Sequence, residues 1–302
     1  MNIKPNRLRS RWAIFLIWVV FLLLVFAEPI FQLIQFAWQD GTASHILLIP
    51  FISAWLLYSD PRREVSRSGF AVGPALAFLV PAAFLAILPT ACPSCSARDR
   101  LSLYIASFLL LLVGGFVLFL GSAKAKASSF ALGFLAFMIP IPDLILSKII
   151  YWLQAGSADI AEIIFNLSGA PVLRDGFVFH LPNVSIEVAQ ECSGIRSSLA
   201  LLILALLVAH FSFHSFWKKA AFVVAGLGMM LIKNGIRIAT LTLLAAYVNP
   251  QFLYGRLHHQ GGVVFFLIGL ALLWPLFWYL RKGEPSFNVG SNRVGELLPE
   301  EK

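Results

Sequence analysis

Apolar runs alternate with short polar breaks along almost the whole chain. They fall at 12–27, 45–58, 70–88, 101–120, 127–139, 192–211, 220–247 and 261–279. Read as helices they predict eight membrane spans, though several are short against the roughly 20 residues a crossing helix needs. The stretch 144–167 does not fit the series. With Asp143 at its edge it holds Lys148, Gln154, Asp159 and Glu162 among apolar residues at helical spacing, the pattern of an amphipathic helix lying on a membrane surface. At 171–188 the period changes. Val172, Phe177, Phe179, Leu181, Val184, Ile186 and Val188 mostly alternate with polar or small residues around Asp175-Gly176 and Pro182-Asn183, which predicts short strands or a hairpin outside the membrane. The predicted fold class is an all-α polytopic membrane protein of about eight transmembrane helices. A short extracytoplasmic amphipathic helix and a β-hairpin-like segment precede its cysteine-bearing stretch. Residues 1–282 read as a single integral membrane domain and 283–302 as a polar, disordered cytoplasmic tail.

Composition agrees with this pattern. Of 302 residues 59% are hydrophobic and 13% charged, 27 are Phe, and the mean hydropathy is +0.82. These values exclude a soluble domain. The net charge of +8 suggests nucleic acid in isolation, but in a membrane protein it is read first by position. With the amino end inside, the inner loops hold Arg62, Arg63, Arg67, Lys124, Lys126, Lys218 and Lys219, and the tail begins at Arg281. The outer loops hold only Arg98, Arg100, Lys148, Arg174 and Arg256. This asymmetry is that of positive loops facing the cytoplasm, and it requires that 144–167 does not cross. No small-residue cleavage site follows the first run, which stops at Glu28-Pro29, so it reads as a span rather than a signal peptide.

The same threading sorts the polar residues. Gln190-Glu191-Cys192-Ser193-Gly194-Ile195-Arg196-Ser197-Ser198 opens the sixth run on the outer side. A cysteine in the first turn of a helix feels the positive end of the dipole, which favours thiolate. Arg196 lies four residues on, on the same helical face. The seventh run contains Lys233-Asn234-Gly235-Ile236-Arg237. An ionisable residue inside a span costs about 2.5–3.5 kcal/mol and so points to a function or a partner. Arg237 lies roughly 25 Å along that span, near its outer edge, and Lys233 is one turn deeper. The doublet His258-His259 opens the eighth run on the same side. A thiol, a guanidinium and an imidazole thus reach one membrane face on consecutive helices. That set suits acyl transfer: the thiolate attacks a carbonyl, the imidazole moves a proton, and the arginine stabilises the developing oxyanion. A zinc site from Cys and His has sparse ligands, and no metal or cofactor is called for. Cys92-Pro93-Ser94-Cys95 falls in an outer loop, where a local disulfide is expected and a redox motif is the sharper alternative. Cys192 is then the odd thiol. Ser44-His45 opens the second run, again on the outer side, and makes His45 a candidate supporting group.

From Ser44 to Phe266 the chain resembles the exosortase/archaeosortase family of membrane cysteine transpeptidase-like sorting enzymes. Val188-Ala189-Gln190-Glu191-Cys192-Ser193-Gly194-Ile195-Arg196-Ser197 matches the family's cysteine motif closely. Ser44-His45 through Pro50, Ile139-Pro140-Ile141-Pro142 and Asn234-Gly235-Ile236-Arg237-Ile238 are similar to its Ser-His, Pro-x-Pro and arginine elements. His258, with Gly262 and Phe266 after it, resembles its histidine motif. The resemblance implies Cys192 as a nucleophile that forms an acyl-thioester, with Arg237 and His258 completing the site. His259 is the alternate histidine, and Arg196, Glu191, Asn234 and His45 are supporting candidates. It also implies exported protein substrates whose carboxy-terminal signal has a Pro-containing motif, an apolar span and a basic tail. The setting is the lipid bilayer of the plasma (inner) membrane, multi-pass, with the site facing outward and no nucleic acid as partner. The alternative from another class is a transporter or channel with Lys233, Asn234 and Arg237 lining an anion path, although the chain shows no internal repeat.

Overall fold

The computed structural model describes residues 5–59, 70–182, 184–253 and 262–284; the side chains of 5–9, 191, 192 and 253 are not described. The basic loop at 60–69, the His258-His259 doublet and the tail from 285 lie outside the described residues. The chain divides into two compact units, 1–148 and 149–302.

The first unit begins with α1 (Pro5–Val25) and α2 (Ala27–Gln39), which meet at a 74° bend. The Glu28-Pro29 pair therefore does not end the helical path. Pro29 sits in the first turn of α2, where its missing N–H would have had no helical partner anyway. A 3-10 turn, Ser44–Leu47, leads into α3 (Ile49–Ser59), too short to cross alone. α4 (Val72–Ala91) and α5 (Ala97–Leu120) form a hairpin of two full-length apolar helices. Ser107 sits buried within α5 and donates its hydroxyl proton to the Ala82 carbonyl of α4, a polar tie where no water is at hand. Leu22, Phe26, Leu33, Ile105 and Phe108 form the core between α1, α2 and α5. α6 (Ser122–Ala127) and α7 (Ser129–Phe134) follow, then a 3-10 turn, Leu135–Met138. Pro140 and Pro142 stop that path. α8 (Asp143–Ser168) starts beyond them at a 92° bend.

Ionic and polar contacts gather the end of α2 and the starts of α5 and α8. Cys92 and Cys95 form a disulfide just before α5. Ser96 caps that helix by accepting the Asp99 N–H at 3.0 Å. Arg98 reaches Asp40 at 2.9 Å and Asp143 at 3.1 Å and lies over the Phe36 ring. Asp99 accepts the backbone N–H of Asp143 at 2.8 Å, and Ser102 donates to the Pro140 carbonyl at 2.6 Å.

In the second unit α8 turns Leu153, Gln154, Ser157, Ala158, Ala161 and Phe165 inward and leaves Tyr151, Trp152 and Ile163 exposed. The stretch is helical as its spacing predicts, but its exposed side carries large apolar residues and its buried side two polar ones. Three antiparallel strands follow, β1 (Leu173–Asp175), β2 (Val178–Leu181) and β3 (Val184–Glu187), in the order β1-β2-β3. Leu173 pairs with His180 and Phe179 with Ile186. Gly176, at φ +58°, makes the first turn, as the Asp-Gly pair leads one to expect. The sheet is pinned to α8: Arg174 donates to Asp159 at 2.8 Å and Glu162 at 2.7 Å, and Phe179 meets Phe165 at 5.2 Å.

The unit closes with α9 (Ile195–Ser212), α10 (Phe216–Tyr247) and a last helix, α11 (Gly262–Arg281). Glu284, just past α11, accepts the backbone N–H of His214 at 3.1 Å and faces His214 Nδ1 at 2.9 Å and Lys218 Nζ at 3.1 Å. These contacts, led by the His214 N–H, pull its carboxyl down to about 2. Among the described residues five helices (α4, α5, α9, α10 and α11) are long and apolar enough to cross a membrane, up to seven if each bent pair counts as one span. The protein is thus an all-α polytopic membrane protein, and helix lengths leave the expected eight spans unconfirmed.

Candidate active site

Cys192 lies in a 3-10 turn, Gln190–Ser193, at the mouth of α9. Gly194 ends this turn and precedes the first residue of α9, at φ +71° and ψ +17°. That left-handed conformation costs a glycine nothing. Glycine is required a second time by space, because a Cβ here would stand 2.6 Å from Asn234 Oδ1 on α10. The backbone just past the cysteine therefore rests on the Asn234 amide. Asn234 is itself buried and donates from Nδ2 to Ser157 Oγ of α8 at 3.1 Å.

The approach to the turn is held equally closely. Gln154 of α8 is buried and donates from Nε2 to the Val188 carbonyl at 2.8 Å. Val188 in turn donates its N–H to the Phe177 carbonyl at 2.9 Å. So α8 supplies two polar side chains, Gln154 before the cysteine and Ser157 beneath Asn234. α8 and α10 approach closely through glycine. A Cβ on Gly235 would stand 2.5 Å from Ile160 Cγ2, and one on Gly156 would stand 2.9 Å from Leu231 Cδ1. Small residues at helix contacts are the ordinary means of such approach inside a membrane.

Beyond Gly194, Lys233 is 1% exposed and donates from Nζ to Ser197 Oγ at 2.6 Å. Ser197 passes a hydrogen bond to the Gly194 carbonyl at 3.1 Å. Ser193 and Ser198 are also buried, and their hydroxyls have no hydrogen-bond partner among the described residues. Arg237 is half-buried, one turn along α10 from Lys233 and on the same face. Arg196, second in α9, is exposed. Glu191 shares the cysteine turn by its backbone. His45 lies in the first unit, half-buried in the Ser44–Leu47 turn.

The sequence-predicted residues fall into three sets. Asn234 meets the turn of Cys192 directly, through Gly194. Arg237 follows within a turn on α10. His258 and His259 lie outside the described residues. Ser157 and the Gly194–Asn234 contact were not foreseen; nor was the role of Gln154, seen only as polar within an amphipathic stretch. Their one sequence signal was a polar or small residue on the apolar face of a helix, at 154, 156 and 157. Among the described residues no group of three or more His, Cys, Asp or Glu is arranged to hold a metal.

A membrane-embedded helical bundle with a cysteine turn seated on a polar helix face is the class of protein defined so far. Its sequence matches the model of the transmembrane exosortase family (Exosortase_EpsH) over residues 37–275, and the chain belongs to that family. It is accordingly an integral, multi-pass membrane sorting enzyme, of a family that acts on exported proteins bearing carboxy-terminal sorting signals. No curated protein and no solved structure gives a significant match.

Proposed function

We propose that the protein is a cysteine peptidase or transpeptidase that cuts carboxy-terminal sorting signals through an acyl-thioester on Cys192. The supporting observation is the seating of the cysteine turn: Gly194 against Asn234, with Arg237 within a turn of Asn234 on the same helix. In the reaction the Cys192 thiolate attacks the scissile carbonyl of the signal. Arg237 stabilises the oxyanion of the tetrahedral intermediate, and its charge is permanent. On collapse the carbon–nitrogen bond breaks, and the leaving amine takes a proton from His258, with His259 as the alternate donor. Water or an acceptor nucleophile then attacks the thioester carbon, the histidine takes its proton, and Cys192 leaves as thiolate. Arg196 and Glu191, neighbours of Cys192 along the chain, are proposed to contact the incoming peptide.

The basic bias of the loops supports an outward-facing site in the plasma (inner) membrane. A substrate held by one apolar span would then present its outer flanking segment at the height of the cysteine turn. The anion-path alternative draws no support from the packing, since Lys233 is 1% exposed and its ammonium engages Ser197.

The test is co-expression with an exported reporter that ends in a Pro-containing motif, an apolar span and a basic tail. Wild-type protein shortens the reporter, and Cys192→Ala accumulates normally yet leaves it intact. Arg237→Ala and His258→Ala each lower processing by about a hundredfold or more, as expected for loss of one catalytic donor or proton carrier. Normal processing by Cys192→Ala would end this reading.

A further inference from the structure

We infer that Lys233 is a positioning residue for the catalytic thiol, acting through Ser197 on the turn that carries Cys192. The inference rests on the role proposed for Cys192. An ammonium buried between helices has to find a polar partner or a function. Lys233 is 1% exposed, and the partner its Nζ reaches is Ser197 Oγ, at 2.6 Å. Ser197 is not an endpoint. Its hydroxyl donates onward to the Gly194 carbonyl at 3.1 Å, and the same carbonyl accepts the Ser198 N–H at 2.9 Å. The ammonium thus polarises a two-bond chain that ends on the peptide unit closing the cysteine turn.

Space is provided for this arrangement. Gly269 of α11 faces the lysine stem, where a Cβ would stand 3.3 Å from Lys233 Cδ and 3.8 Å from Leu201 Cδ2 of α9. The stem therefore runs through a narrow gap among α9, α10 and α11, and its head comes up beneath the first turn of α9. Asn234, the next residue, packs against Gly194 directly. Consecutive α10 residues thus hold the turn in two ways, one through a hydrogen-bond chain and one by contact. Loss of the Lys233 arm frees the Gly194 carbonyl to tilt. Cys192 then drifts from the helix mouth, where the dipole and free N–H groups favour the reactive thiolate.

With Cys92 and Cys95 joined, Cys192 is the one thiol left of three, so alkylation reads it selectively. The probe is iodoacetamide with the full chain in detergent micelles at neutral pH, with Cys192→Ala as the blank. Lys233→Met and Ser197→Ala each slow alkylation by about tenfold, and the double variant is no slower than either, because both act on one chain of contacts. Lys233→Arg keeps a cationic donor and stays within about threefold of wild type. With the reporter, the same variants lower kcat and leave KM unchanged. Wild-type alkylation in Lys233→Met, or losses that multiply in the double variant, would overturn the inference. If Lys233→Met does not accumulate, Ser197→Ala decides alone, and an unchanged rate in it is the overturning result. Failure here leaves the proposed reaction standing if Cys192→Ala still abolishes processing. Failure of Cys192→Ala to do so removes the reaction whatever the alkylation rates.

Discussion

Replacing Gly194 by alanine is the most exacting test of how the cysteine turn is built. At φ +71° an L-residue pays about 1–2 kcal/mol for the left-handed conformation. The new methyl would also stand 2.6 Å from Asn234 Oδ1, closer than packed atoms tolerate. Asn234 is 1% exposed, so it has no solvent to swing into. It yields only by giving up its 3.1 Å bond to Ser157, worth about 1 kcal/mol. Together these give a loss of about 2–4 kcal/mol. In a chain of this size that lowers the thermal midpoint by roughly 3–6 °C. The assay is thermal unfolding of the purified protein in detergent, followed by the reactivity of Cys192 toward iodoacetamide below the transition. The decisive comparison is Gly194→Ala in an Asn234→Ala background, where the clash is gone and only the backbone strain remains. There the cost falls to about 1–2 kcal/mol. An equal cost in both backgrounds, or no cost in either, refutes the packing of Gly194 on Asn234.

Two further perturbations probe the surroundings. Gln154→Leu removes the 2.8 Å donor to the buried Val188 carbonyl and costs about 1–3 kcal/mol by thermal unfolding, with slower reporter processing. The carboxyl of Glu284 is held down to about 2, chiefly by the His214 N–H. A carboxyl depressed by folding contributes stability that is present above its unfolded pKa, near 4.3, and is lost as pH falls through the folded value. Thermal midpoints measured between about pH 5 and 2 therefore fall for the wild type, and Glu284→Gln has a shallower acid limb over that window.

Much of the architecture was legible because it depends on local pattern. The runs that became α4, α5, α9, α10 and α11 are long and predominantly apolar, enough to be read as crossing helices despite the few polar residues and prolines within them. The 144–167 stretch declared itself a helix by spacing alone. What escaped was the behaviour of short runs at bends. Glu28-Pro29 looked like a stop but begins α2, because proline is tolerated in a first helical turn. The 127–139 run breaks into α7 and a 3-10 turn before Pro140. At the site, Cys192, Lys233, Asn234 and Arg237 stood out as polar residues amid apolar ones. Their partners did not, since the Gly194–Asn234 and Lys233–Ser197 contacts depend on how far one helix slides along another. That register depends on close approaches between helices, such as Gly226 of α10 against Ala205 of α9, which no periodicity along a single stretch of sequence encodes.

The Cys92–Cys95 pairing bears on how such an enzyme ages. A sulfenic acid formed on a cysteine is ordinarily rescued when a neighbouring thiol condenses with it. Here the chain has three cysteines, and two are already spent on each other, so Cys192 has no resolving partner within its own molecule. Oxidant that reaches the site is not shared out or repaired internally, and recovery depends on a reductant arriving from outside.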